Sequence, residues 1–158
     1  MTTLQEDTII RKLTPGERIP YDLLLLADPS VIAINTYLSL SELYVMEQGR
    51  QIIGSYVLYT NDPEEVEIKN IAVNPAWQGK GFGKILLQDA TQRARANGFR
   101  RLVIGTGNSS IAQLYLYQRQ GFEITGIKKD YFMMHYQEPI YENGIQCKHL
   151  VMLEKRLY

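Results

Sequence analysis

Residues 67–87 read E-I-K-N-I-A-V-N-P-A-W-Q-G-K-G-F-G-K-I-L-L. The run 66–73 is rich in β-branched residues and predicts a strand. Asn74-Pro75 breaks it. A glycine-dense turn follows, Gln78-Gly79-Lys80-Gly81-Phe82-Gly83, and feeds a helix. Strand, glycine turn and helix N-terminus together form a cradle for phosphate. The first N–H groups of a helix lack internal partners, and the helix dipole favours an anion beside them. Glycines at alternate positions remove the Cβ atoms that would hold a phosphate away from those donors. Lys80 and Lys84 add positive charge.

Spacing narrows the choice of ligand. A P-loop requires G-x-x-x-x-G-K-[ST], whereas Gly83-Lys84 is followed by Ile85. A dinucleotide fingerprint requires G-x-G-x-x-G; counted from Gly79 its third glycine falls on Lys84, and counted from Gly81 on Leu86. Both nucleotide motifs miss. What fits is Gln-x-x-Gly-x-Gly after a strand that ends Ile71-Ala72-Val73-x-Pro75. This order resembles the acetyl-CoA-binding core of the GNAT family, the GCN-type N-acetyltransferases. The alternative is a turn that merely joins a strand to a helix.

The rest of the chain supplies the elements such a core needs. Residues 8–12 predict a first strand, and Pro15 and Pro20 punctuate the connector after it. Short helices are expected over 21–27 and, behind a Ser30 cap, over 31–38. Strands over 41–47 and 52–60 flank a turn at Gly49, and Asn61-Asp62-Pro63 returns the chain into the strand ending at Val73. That makes an antiparallel meander. The helix after the glycine turn should run over about 81–97, with Leu86, Ala90 and Ala94 inward and Asn97-Gly98 as its left-handed cap. A strand over 101–105, a helix over 111–119 capped by Ser109 or Ser110, and strands over 122–128 and 146–155 complete a β-α-β-α segment and a closing hairpin. The expected class is α+β, a mixed sheet with parallel neighbours across the crossover, in one domain over residues 1–158.

Composition excludes several classes of partner. Lys plus Arg and Asp plus Glu each number 17, giving zero formal charge, so neither nucleic acid nor an anionic membrane is an expected partner. The apolar run Leu23-Leu24-Leu25-Leu26 is too short and too acid-flanked for a signal peptide or a span. One cysteine rules out an internal disulfide framework, and the cytoplasm is the expected compartment. His135 and His149 lack metal-ligand spacing with Cys147, so no metal is expected. Cys147 reads as a small buried hydrophobe.

The resemblance implies more than a fold. It implies an enzyme that takes acetyl-CoA as co-substrate and transfers the acetyl group to a primary amine in a ternary complex, a small molecule rather than a protein being the expected acceptor. The pantetheine arm would pair with backbone at Ile71, Ala72 and Val73, and the pyrophosphate would sit on the amides of Gly79, Lys80, Gly81, Phe82, Gly83 and Lys84. Gln78 would bind phosphate or fix the turn. Leu116-Tyr117-Gln118-Arg119-Gln120-Gly121-Phe122 resembles the family's Leu-Tyr-x-x-x-Gly-Phe segment, whose tyrosine protonates the departing thiolate. The glycine spacing selects Tyr117 over Tyr115, which points to nearly the opposite side of a helix. Glu67, six residues before Val73, matches the family's base, or else is a solvated glutamate beside Glu64 and Glu65.

In one place the chain departs from the family. The pantetheine-contacting Asn often found seven residues before the tyrosine is replaced here by Ser110, and Asn108 lies nine before. Asn108 is a candidate for the same role or a turn residue. The aromatic and methionine-rich stretch 130–144 is an acceptor wall, a packed insertion or a homodimer contact. Two other classes stay open: a CoA-binding regulatory or scaffold module of this fold without turnover, and a phosphate binder unrelated to CoA.

Overall fold

The computed structural model describes residues 7–158 and divides the chain into two compact units. The first holds the described residues up to Thr60 together with Ile68–Arg93; the second holds Asn61–Glu67 and Ala94–Tyr158.

The first unit begins with strand β1 (Thr8–Lys12), helices α1 (Tyr21–Ala27) and α2 (Val31–Leu38), and strands β2 (Glu42–Gln48) and β3 (Gln51–Thr60). Strand β4 (Glu65–Val73), of which the part from Ile68 belongs to this unit, a single 3-10 turn at Pro75–Trp77 and helix α3 (Phe82–Ala96), which belongs to it as far as Arg93, follow. The strands lie in the order β1-β2-β3-β4, with β1 and β3 both antiparallel to β2. The meander forms as its turn residues dictate: Gly49 supplies a φ of +63° at the β2–β3 turn. The Ser30 hydroxyl accepts from the Ala33 amide at 3.1 Å, capping α2. Leu24, Ile34, Leu43 and Val57 form a core beneath α1 and α2.

Helix α3 is tied to the meander by a polar cluster. The Tyr44 and Tyr56 rings stack at 4.9 Å, and the Arg93 guanidinium lies 4.5 Å over the Tyr44 ring. The Tyr56 hydroxyl donates to Asp89, and Arg93 Nε donates to the same carboxylate oxygen at 2.8 Å. Arg93 Nη2 reaches the Ile10 carbonyl at 3.2 Å. Burial, and then the Asp89 carboxylate, push the Tyr56 phenol well above its ordinary pKa. At the far end Phe99 N donates to Ala94 O at 3.1 Å, with Gly98 at φ +83°, the left-handed cap its sequence predicts.

The second unit contains β5 (Arg101–Gly107), α4 (Ile111–Arg119), β6 (Glu123–Lys128), α5 (Tyr131–His135), β7 (Ile140–Glu142), β8 (Ile145–Cys147) and β9 (Leu150–Arg156). Strand β9 inserts between β5 and β6, antiparallel to both. Strands β7 and β8 form a separate two-stranded sheet. The expected strand over 146–155 is therefore two strands in two sheets. The Asn108 carboxamide oxygen accepts from both Lys148 N (2.8 Å) and His149 N (2.9 Å), which takes those amides out of any ladder. The hydroxyl of Ser110 also departs from expectation. It donates to Glu142 at 3.2 Å instead of capping α4.

Replacing Tyr56 with Phe should lower the unfolding free energy by about 1–2 kcal/mol, because it deletes a partly buried hydrogen bond to a charged partner. The shift in urea midpoint at unchanged slope measures this.

Candidate active site

The residues singled out by sequence fall in both units, and each group is described where it lies. On β4 the burial alternates: Val66, Ile68, Asn70 and Ala72 face inward, while Glu67, Ile71 and Val73 are half-buried on the other face and Lys69 is exposed. The strand ends where the Gln78 side-chain amide donates to the Val73 carbonyl at 2.9 Å. Of the two roles raised for Gln78, its Nε2 serves the turn. Asn74 begins that turn, with its backbone amide on the Ile53 carbonyl (2.8 Å) and its side chain accepting from Ala76 N (3.0 Å).

The glycines then do what only glycine does cheaply. Gly79 and Gly81 sit at φ +75° and +87°, and a Cβ at either would meet no atom within 4 Å. Conformation, not crowding, demands them. Phe82 anchors the loop: its ring is buried and meets the Trp77 ring edge-on at 6.0 Å. Facing inward, Phe82 offers a ligand its backbone amide alone. The Lys80 ammonium lies 5.1 Å over the Trp77 ring. No acidic residue occupies the first turn of α3, so the helix dipole there is not already neutralised by the chain's own carboxylates. An anion is what this end of α3 is suited to receive.

Tyr117, Asn108 and Glu67 belong to the second unit. Tyr117 lies on α4 with 4% of its surface exposed, its ring 6.2 Å from that of Phe122. Tyr115 is exposed instead, so burial separates the two tyrosines as helical spacing requires. No hydrogen-bond partner of the Tyr117 hydroxyl is present among the described residues. Burial alone pushes its pKa well above the ordinary value of 10, so the phenol keeps its proton at neutral pH. It is chemically a proton donor with no internal acceptor.

Asn108 is heavily engaged. Besides accepting from the Lys148 and His149 amides, it donates from Nδ2 to the Gln146 carbonyl at 3.1 Å and from its backbone to the His149 carbonyl at 3.0 Å. One Nδ2 hydrogen is left over from these bonds. Phe132 N donates to the Lys148 carbonyl and Asp130 N to His149 Nδ1, so the start of segment 130–144 is fastened to the same bend. Met133, Met134 and Tyr141 in that segment are exposed. Glu67 accepts from Asn61 Nδ2 at 3.0 Å. The Cys147 thiol fills the space over Gly107, where any Cβ would run into its sulfur, and burial raises its pKa. A protonated, packed thiol is no nucleophile.

Asn70 is not among the residues that motif spacing singles out. It is buried, and its Nδ2 donates to the Leu24 carbonyl of α1 (2.9 Å) and to the Tyr37 hydroxyl of α2 (3.2 Å). Its Oδ1 is buried without a partner. The signal was available, since Asn70 interrupts an otherwise apolar inward series of Val66, Ile68 and Ala72. Among the described residues no cluster of three metal-ligating side chains occurs, and no helix is long and apolar enough to cross a membrane.

The model of the acetyltransferase (GNAT) family matches residues 15–122. A Bacillus subtilis (strain 168) protein, described as the uncharacterized N-acetyltransferase YvbK, is 52% identical over 133 residues, covering 84% of this chain and 86% of that protein. A crystal structure of a GNAT family acetyltransferase from Elizabethkingia anophelis, with acetyl-CoA bound, superposes with a TM-score of 0.95 at 50% identity, covering 96% of this chain and 99% of that one. A structure named IAA acetyltransferase, from Bacillus cereus ATCC 14579, superposes at 0.90 with 48% identity, over 94% and 99% of the two chains.

Substituting Gly81 by Ala forces an L-residue into the left-handed region, at a cost of about 1–2 kcal/mol. If the loop relaxes to avoid that cost, it loses its shape. Acetyl-CoA, the ligand of the Elizabethkingia structure, should then bind about tenfold more weakly by titration calorimetry.

Proposed function

Because this chain belongs to the acetyltransferase (GNAT) family and is an acetyl-CoA-dependent N-acetyltransferase, we propose that it moves the acetyl group directly onto a primary amine of a small-molecule acceptor. The amine attacks the thioester carbonyl while Glu67, directly or through water, takes its proton. A backbone amide near Val73 holds the oxyanion. The intermediate then collapses, the C–S bond breaks, and Tyr117 gives its proton to the leaving thiolate. The amides of residues 79–84 carry the pyrophosphate, backbone at residues 71–73 pairs with the pantetheine, and the spare hydrogen of Asn108 is directed to the same arm.

The observation that carries this reading is the state of Tyr117: a buried phenol, protonated, with no hydrogen-bond partner among the described residues, at the position its Leu-Tyr-x-x-x-Gly-Phe context assigns to the acid. The exposed methionines and Tyr141 of segment 130–144 suit an acceptor with an apolar body, since thioether side chains adapt to varied shapes. Residues 1–158 are read as one domain. The family match runs through both units, and each unit is assembled from stretches that are not contiguous in sequence. The cytoplasm is the proposed compartment, where a lone thiol such as that of Cys147 stays reduced.

Thiol release from acetyl-CoA across a panel of amines tests the proposal. Tyr117→Phe should lower kcat by about 10²–10⁴-fold while acetyl-CoA still binds. With the Tyr117 pKa raised above 10, wild-type kcat should show no falling limb from this group below about pH 10. Glu67→Gln should cost most near neutral pH, where an acceptor amine is protonated and needs a base, and least at high pH, where the free amine is abundant. Acetyl-CoA binding with no turnover of any amine would favour the scaffold reading instead.

A further inference from the structure

We propose that Glu142 is a specificity-determining residue for the acceptor: its carboxylate holds a second ammonium group, so that the preferred acceptor is an aliphatic diamine. This deepens the transfer reading above and rests on it. Glu142 ends β7, and two neighbouring bonds fix its place. The Ser110 hydroxyl lies 3.2 and 3.3 Å from the two Glu142 carboxylate oxygens and donates to them. The next residue, Asn143, donates from Nδ2 to the Ser109 carbonyl at 2.8 Å. Asn143 sits at φ +56°, a conformation few residues other than glycine adopt. Two consecutive residues of the β7–β8 hairpin are thus clamped to two consecutive residues ahead of α4.

That clamp presents a carboxylate with nothing to neutralise it. Glu142 is exposed, and no Lys, Arg or His forms an ion pair with it among the described residues. Ser110 is a neutral donor and leaves several carboxylate lone pairs open. Aromatic rings lie close by. A Cβ on Gly107, at the end of β5, would meet Cys147 Sγ, Ser110 Oγ at 3.3 Å and Phe132 Cε2 at 3.6 Å, so these side chains converge on one spot. The Phe132 ring in turn stacks on that of Tyr136 at 5.7 Å. Aromatic faces attract cations as a carboxylate does, and the two together suit an organic ammonium.

The same clamp sets the separation from the proposed acid. Ser110 stands at the N-cap position of α4, seven residues before Tyr117, and both are buried on one face of the helix. Two helical turns measure about 10 Å. Side chains on a helix lean toward its N-terminus, so the Tyr117 phenol closes part of that gap. Its hydroxyl has no partner among the described residues. An acceptor nitrogen that reacts beside Tyr117 is therefore separated from Glu142 by a gap that a short alkyl chain spans. A second nitrogen at the end of that chain meets the carboxylate, whereas a monoamine leaves it without a partner. Ser109, Ser110, Tyr117, Phe132 and Glu142 all belong to the second unit.

Initial rates at saturating acetyl-CoA test this, with putrescine and cadaverine set against butylamine and pentylamine of matched chain length. The wild type should favour each diamine by about tenfold in kcat/KM. Glu142→Gln removes the charge and keeps an oxygen for Ser110 to donate to. It should raise the diamine KM about tenfold with little change in the diamine kcat, while acetyl-CoA affinity by calorimetry and the unfolding temperature stay at wild-type values. Glu142→Asp, with the charge on a shorter arm, should keep part of the preference. A wild type that treats monoamines and diamines alike overturns the inference and leaves the transfer reading standing. So does a preference that Glu142→Gln leaves intact. A Glu142→Gln variant that loses kcat on every amine also overturns it, since the residue would then act in the chemistry and not in recognition. Turnover of other amines but of neither diamine overturns it too, whereas turnover of no amine at all overturns both readings.

Discussion

The Val73 carbonyl is the last acceptor of β4, and the amide of Gln78 takes it at 2.9 Å. That bond decides the geometry of the strand-to-helix turn proposed to hold the acetyl donor. It folds residues 74–78 back on the strand end, so that Gly79 and Gly81 must turn through the left-handed region before α3 can begin. Phe82, buried against Trp77, then fixes where the first turn of α3 starts. The unsatisfied amides of that turn are a consequence of where a helix begins. A short side-chain bond and two glycines therefore place a patch of positive potential at the end of a strand, with no dedicated binding side chain.

In the second unit a different amide does comparable work. Asn108 spends its carboxamide on three backbone groups of residues 146–149. Those bonds end β8, start β9 and hold the bend to which Asp130 and Phe132 are fastened. The aromatic segment is therefore held at its start by backbone hydrogen bonds and is not a loose loop. Tyr117 stands apart from such networks. Its hydroxyl is isolated, and isolation in a poorly solvated place is what keeps a phenol protonated. A tyrosine tied to a carboxylate, as Tyr56 is to Asp89, could not hand its proton to a ligand without first giving up that bond. The same residue type is used once for cohesion and once in a state suited to proton transfer.

Much of this was legible in the chain. The strand that ends at Val73, the glycine turn and the helix behind it are local features, and their signals are local: β-branched residues, Asn-Pro, alternate glycines and a 3.6-residue apolar period. The α2 cap at Ser30 and the α3 cap at Gly98 follow from the same short-range rules. The last third of the chain is less legible. Residues 146–155 look like one strand because nothing in Gln146-Cys147-Lys148-His149-Leu150 breaks a strand. The break is imposed by Asn108, some 40 residues away. Ser110 likewise has the composition of a cap, but Glu142 takes its hydroxyl.

The sequence by itself determined the family, the glycine turn and the position of the candidate acid, because each is written in residues adjacent along the chain, where backbone conformation and spacing are fixed by local sterics. Tertiary structure decided the rest. It split the final strand, committed Gln78 and Asn108 to backbone partners, gave Asn70 to the carbonyl of α1, and left Ile124 and Ile127 uncovered beside a buried β9. Those outcomes depend on which distant groups meet. A polar side chain takes whichever partner the fold brings within about 3 Å, and a sheet edge is an edge only once strand order is known.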